Sequence, residues 1–175
     1  MNHNDCINLL RNGISSQSSV WAELGSGDGA FTLALAELIN PSSTIYSIDK
    51  DPRALQKQEQ ILKKRFPQLE VHYIAADFSR HIDLPTLDGI LIANALHFIK
   101  EKEPFISMIK QYLKPAGQFV IVEYNIEQGN QWVPYPISLK SWEDLAARCG
   151  SSETRLLNTM RSKYHKEIFS AVSLF

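Results

Sequence analysis

The sequence holds two cysteines in 175 residues, Cys6 and Cys149, and neither stands in a C-x-x-C pair. That scarcity argues against a disulfide framework and a thiolate zinc site, and no metal is expected. No apolar run approaches the ~20 residues that a membrane-spanning helix needs. A dominant charge is also lacking, since 18 Lys and Arg against 19 Asp and Glu leave a net charge of -1. Such a balance creates no general field toward nucleic acid or anionic lipid, and leaves only local basic faces open. The longest basic cluster, Lys63-Lys64-Arg65, falls at the end of an expected helix, where cations complement the helix dipole. The first residues, Met1-Asn2-His3-Asn4-Asp5, lack the cationic-then-apolar pattern of a signal peptide. A soluble, cytoplasmic protein with no membrane partner is expected.

What is present is a globular composition, 44% apolar and 21% charged, over a length suited to one domain spanning 1–175. A short N-terminal helix over Asn4 to Asn12 and a polar link over Ser15 to Ser19 should occupy the first 18 or so residues. Strands are then expected at Val20–Leu24, Thr44–Ile48, Val71–Ala75, Leu87–Ala93 and Phe119–Glu123. Helices should separate them at Ala30–Ile39, from Pro52 to about Phe66, and at Glu101–Leu113, with Asp51 as an N-cap and Pro115-Ala116-Gly117 as a turn. Ser141–Cys149 reads as a last helix ended by Gly150. Thr154–Met160 and Ile168–Leu174 read as an antiparallel hairpin around a turn near Ser162-Lys163. Alternating strands and helices predict an α/β fold: a doubly wound, three-layer, mostly parallel sheet of seven strands with an antiparallel C-terminal hairpin. The near-continuous apolar strands agree, because parallel strands are covered on both faces. The segment 125–140, with Trp132 and Tyr135, is long enough to act as a lid.

The strongest chemical signal is Glu23-Leu24-Gly25-Ser26-Gly27-Asp28-Gly29, a strand, a glycine turn and a helix start in succession. Glycines allow a tight turn and a close approach of ligand to backbone, and the helix N-terminus offers free amides. The spacing is G-x-G-x-G, tighter than the G-x-G-x-x-G of dinucleotide sites, which counts against a nicotinamide-dependent dehydrogenase. Glu23 can meet an ammonium group. Asp49, at the end of the second strand, can accept from ribose hydroxyls. Together they indicate a ligand that contains adenosine.

From these residues onward the chain resembles the class I S-adenosylmethionine-dependent methyltransferases, a Rossmann-like superfamily. Val20 to Gly29 resembles their first motif and Ser47 to Asp51 the segment with the ribose-binding acid. Ala75-Ala76-Asp77-Phe78 resembles the adenine-contacting segment, Leu87 to Phe98 the fourth motif, and Leu113-Lys114-Pro115-Ala116-Gly117 the turn before the fifth strand, with Ala116 in place of a glycine. The resemblance implies S-adenosyl-L-methionine as cofactor and S-adenosyl-L-homocysteine as product. It implies that Glu23 and the backbone around Gly25 and Gly27 face the methionine part, with Ser26 and Gly29 of the same turn also binding the cofactor, that Asp49 holds the ribose with Lys50 beside it, and that Asp77 accepts from the adenine amino group with Phe78 along the ring. It places Asn94 and Ala95 by the sulfonium. Each role has a plainer alternative: Glu23 as a solvated charge, Asp49 as a turn cap, Asp77 as an N-cap, Phe78 as core and Lys50 as an exposed lysine.

Methyl transfer from a sulfonium needs alignment and exclusion of water more than a protein nucleophile. His97, just after the fourth strand, is the candidate base if the acceptor carries a proton, and packing on Phe98 is the alternative. Tyr124, Asn125, Trp132 and Tyr135 are candidate acceptor contacts, with loop anchoring as their alternative. Asn94-Ala95-Leu96-His97 lacks the prolines of amino-methylating nucleic acid enzymes, and no cysteine stands where a cytosine-C5 enzyme needs one. A small apolar or aromatic acceptor is expected, with nucleic acid and protein acceptors left open. A non-catalytic cofactor-binding subunit is the alternative function.

Overall fold

The computed structural model describes residues 1–15, 20–162 and 167–175. The polar link expected over 15–19 lies almost wholly outside the described residues, and so does Lys163 of the expected turn.

The elements follow α1 (His3–Leu10), β1 (Val20–Leu24), α2 (Ala30–Leu38), β2 (Thr44–Asp49), α3 (Pro52–Arg65), β3 (Glu70–Ala75), β4 (Leu87–Ala93), α4 (Lys102–Ile109), β5 (Leu113–Tyr124), α5 (Leu139–Arg148), β6 (Glu153–Arg161) and β7 (Glu167–Leu174). Short 3-10 turns cover Leu96–Phe98 and Lys110–Tyr112. The strands form one seven-stranded sheet in the order β3-β2-β1-β4-β5-β7-β6. β1 to β5 pair in parallel, and β7 runs antiparallel to both β5 and β6. This is the expected mostly parallel sheet with its antiparallel hairpin. The chain leaves β1 toward β2 and returns on the far side as β4. The order therefore reverses between β1 and β4, where a crevice opens at the strand ends in folds of this kind.

Local chemistry explains the helix starts. Asn2 and Asp5 form a reciprocal capping box on α1. Asp51 accepts from the Arg53 amide at 2.9 Å, with Pro52 in the first turn of α3. Ser138 caps α5. The basic cluster does sit in the last turn of α3, where Arg65 pairs with Glu37 of α2 at 3.3 Å.

Two apolar layers hold the sheet. One joins Ile90, Ile92, Phe119 and Ile121 to Phe105 of α4 and Trp142 of α5. The other joins Trp21, Leu91 and Val120 to Leu9 of α1, Leu35 of α2 and Leu62 of α3. Fully burying side chains of this size is worth roughly 1.5–3 kcal/mol each. Gly89 pairs with Trp21 across β1 and β4, and a Cβ there would stand 2.4 Å from the indole ring, so the glycine makes room for the tryptophan.

The structure departs from expectation around residue 113. The helix expected over 101–113 stops at Ile109, and Leu113 already pairs with Leu87 in the sheet. Pro115-Ala116-Gly117 is an irregularity within β5, where the register to β4 shifts, and not a separate turn before it. Ala116 takes φ 59°, a left-handed conformation that costs a non-glycine residue roughly 1–2 kcal/mol. The long loop also ends sooner, because α5 begins at Leu139.

Candidate functional site

The glycine turn is built where β1 ends and α2 begins. Gly25, Gly27 and Gly29 have φ of 75°, 52° and 84°, all left-handed. The amides of Gly25 and Ser26 both donate to the Ile48 carbonyl of β2, at 2.9 and 3.0 Å. The amide of Gly27 donates to Asp49 Oδ2 at 2.8 Å, while Asp49 Oδ1 accepts from the Asp51 amide at 2.9 Å. Asp49 thus ties the turn to the end of β2. The three glycines face different surroundings. A Cβ on Gly25 would lie 2.7 Å from the Ala95 Cβ and 3.0 Å from the Phe78 ring, and one on Gly29 would lie 2.5 Å from Gln58. A Cβ on Gly27 would meet nothing within 4 Å, so Gly27 marks the open side.

Glu23 is 1% exposed and accepts from Thr32 Oγ1 at 2.5 Å. Among the described residues no Lys, Arg or His pairs with it. Loss of hydration in this burial pushes its carboxyl up to about 8; the Thr32 hydrogen bond opposes the rise and the charge of Asp49 adds to it. A buried carboxylate with no cation beside it suits a cationic ligand. Ser26 turns its hydroxyl inward, to Ser47 Oγ at 2.8 Å and Gln58 Nε2 at 2.9 Å.

The remaining predicted contacts gather around this turn. Asp77 forms a turn with Ser79, accepting from its amide at 3.0 Å and its hydroxyl at 2.7 Å, which holds the carboxyl below its usual range with help from Arg80 and Lys50. No helix follows it, so an N-cap is not its local role. Phe78 packs T-shaped with Phe105, 5.9 Å between centroids, and its ring also reaches the Gly25 position. Lys50 is exposed. Asn94 holds φ 51° at the end of β4, and its side-chain Oδ1 is buried without a hydrogen-bond partner among the described residues. Ala95 is buried against the Gly25 position.

His97 is 3% exposed, and its Nδ1 lies 2.9 Å from Oε2 of Glu123, which is 1% exposed at the end of β5. The His97 amide also donates to Glu123, at 3.1 Å. The His97 ring contacts Phe98 at 4.3 Å and stands 6.2 Å from the Tyr124 ring. Tyr124 borders a cavity of about 400 Å³ shared with Asn2, Asp5, Met160, Arg161 and Ile168. The other loop residues do not join one wall. Asn125 spends its amide on structure, donating to Glu167 and accepting from the Leu139 amide. Tyr135 donates its backbone N–H to the His97 carbonyl at 3.0 Å and is 41% exposed, and Trp132 is 74% exposed.

Sequence reasoning missed Thr32, Gln58 and Glu123. The available signal was polarity in apolar surroundings: Gln58 lies on the face of α3 that also carries Ala54, Leu55 and Leu62, and Glu123 ends an apolar strand.

A family profile described as "Methyltransferase domain" matches residues 16–169. The chain is 27% identical over 108 residues to a ubiquinone/menaquinone biosynthesis C-methyltransferase of Wigglesworthia glossinidia brevipalpis, spanning 59% of this chain and 42% of that relative. The fold is shared with the N-methyltransferase NodS from Bradyrhizobium japonicum WM9, at TM-score 0.73 and 20% identity over 98% of this chain and 93% of that one. A SAM dependent methyltransferase from Aquifex aeolicus superposes at TM-score 0.72 with 18% identity, covering 97% and 89%. With the glycine turn, the strand order and the matched span agreeing, the chain belongs to the methyltransferase-domain family of class I S-adenosylmethionine-dependent folds.

Proposed function

We propose that the protein transfers a methyl group from S-adenosylmethionine to a small acceptor. The observation that carries this reading is Glu23, a buried carboxylate without a cationic partner, set behind a glycine turn whose Gly27 side is open. The unpartnered Asn94 Oδ1 at the neighbouring strand end is a second buried group suited to a ligand. The residues present therefore fit the cofactor. Glu23 would take its ammonium group, Asp49 its ribose, Asp77 and Phe78 its adenine, and Gly25 and Gly27 would allow close backbone approach. When bound, the cofactor supplies an electrophilic methyl on a sulfonium whose sulfur leaves with the bonding pair.

The protein's work is then to orient the acceptor, exclude water and take its proton. The cavity beside Tyr124 is within the size range of small-ligand sites. His97, oriented through Nδ1 by Glu123, would accept the acceptor's proton at Nε2. A non-catalytic cofactor-binding subunit is the competing reading.

Titration calorimetry with S-adenosylhomocysteine and NAD tests the ligand. Binding of the former and not the latter is expected, and the reverse sinks the reading. Asp49→Ala should weaken S-adenosylhomocysteine by roughly 30-fold or more, since it removes both a charged acceptor and the clamp on Gly27. Once a methyl-release screen has identified an acceptor, His97→Ala should lower kcat/KM about 100-fold. A variant that loses only thermal stability would assign His97 to packing.

A further inference from the structure

Behind the glycine turn sits a side chain outside every motif, Gln58 of α3. It is 1% exposed. Its Nε2 donates to Ser26 Oγ at 2.9 Å and to the Gly27 carbonyl. Its Oε1 accepts from Ser47 Oγ at 2.9 Å and faces Thr32 Oγ1 at 3.2 Å. Both donors are engaged, Oε1 accepts from Ser47, and its second lone pair faces the Thr32 hydroxyl, so every polar position of the amide has a neighbour. Burying an amide gains nothing over an apolar residue unless those bonds have a purpose. The neighbouring inward positions of the same helix, Ala54, Leu55 and Leu62, are apolar. Packing alone would be served by a leucine.

The bonds converge on the turn. The Gly27 N–H is held by Asp49 and its C=O by Gln58, so the peptide groups on either side of this left-handed residue are each held by a side chain. The Thr32 hydroxyl carries one hydrogen and faces two oxygens, Glu23 Oε2 and Gln58 Oε1. When Glu23 is ionised, that hydrogen belongs to Glu23. When Glu23 is protonated, the carboxyl donates to Thr32 and Thr32 donates on to Gln58. Gln58 therefore touches both the shape of the turn and the hydroxyl that meets the buried acid.

We propose that Gln58 is a positioning residue for the cofactor: it fixes the Gly27 carbonyl and, through Thr32, the hydrogen bond to Glu23, so that the turn is set before the ligand arrives. This rests on the reading of the turn as the S-adenosylmethionine site. It predicts an effect on cofactor affinity separate from any effect on folding.

The experiment is calorimetry of the full chain with S-adenosylhomocysteine, paired with thermal melting. Gln58→Leu keeps the volume and removes the bonds. Its melting temperature should hold within a few degrees while its affinity falls about tenfold or more, more than the worth of one neutral hydrogen bond. Gln58→Glu supplies a donor only when protonated, so its affinity relative to wild type should recover at pH 6 compared with pH 8.5, a reversal that a purely structural role would not produce. If Gln58→Leu fails to fold, Ser47→Ala removes the hydroxyl that contacts both Gln58 Oε1 and Ser26 Oγ and should weaken binding severalfold. Unchanged affinity in the folded variants overturns the proposal while leaving the cofactor reading intact. Failure of the wild type to bind overturns that reading itself.

Discussion

Glu23→Gln is expected to raise the melting temperature of the ligand-free protein at pH 8 and to weaken S-adenosylhomocysteine about 10- to 100-fold. Both effects come from one carboxyl. Burial pushes it from 4.5 to about 8, the Thr32 hydrogen bond pulls the other way, and the charge of Asp49 pushes up again. Between those two values the folded protein keeps a proton that the unfolded chain has released, so stability falls as pH rises through that window. Glutamine cannot ionise, and it removes this fall. The gain in melting temperature should be small at pH 5 and largest near pH 8 or above. A wild-type melting temperature that stays level from pH 5 to 8 would sink the assignment.

The same carboxyl must be ionised to meet an ammonium group. Wild-type affinity should therefore climb with pH up to about 8, and binding at neutral pH should release a proton. Calorimetry in two buffers of different ionisation enthalpy counts that proton, and the count should vanish in Glu23→Gln. The loss of affinity follows from removing a charged hydrogen-bond partner, about 1.5–3 kcal/mol. Stability and binding thus pull in opposite directions at this residue, as expected where a site keeps a strained or uncompensated group for function.

The second large effect separates two glycines of the turn. Gly25→Ala should damage both folding and binding. Its backbone is left-handed, and the new methyl would stand 2.7 Å from the Ala95 Cβ and 3.0 Å from Phe78, which Phe105 backs. Neither neighbour can turn away, because one is a backbone-fixed methyl and the other is packed. Gly27→Ala carries a similar φ penalty of about 1 kcal/mol but meets no atom within 4 Å. It should fold nearly as well as wild type and still lose affinity, since its methyl points into the open side. Thermal melts and S-adenosylhomocysteine titrations of the pair check this. Equal melting temperatures would show that the contacts at Gly25 yield easily.

Much of the fold is legible along the chain. β1 and β4 run between the residues expected of them, because short apolar runs bounded by glycine or polar residues have little else to become. Asp51-Pro52 marks the start of α3, because cap and proline act within one turn. The error at Leu113 has a different origin. Helix pattern and strand propensity compete there, and pairing with Leu87, 26 residues earlier, decides the outcome. Asn125 illustrates the same limit at the site: its polar ends are taken by Glu167 and Leu139, partners that no local pattern announces.

The sequence by itself determined the order of strands and helices, the glycine turn and the acids at Glu23, Asp49 and Asp77, because capping, periodicity and turn chemistry act over a few residues. Only the tertiary structure decided which groups meet. It brought Gln58 under a turn some 30 residues away and closed His97 onto Glu123. It also left Glu23 buried with no cation beside it among the described residues. Burial and partnership are properties of the packed sheet, and they set the charge of an acid that the chain alone only places.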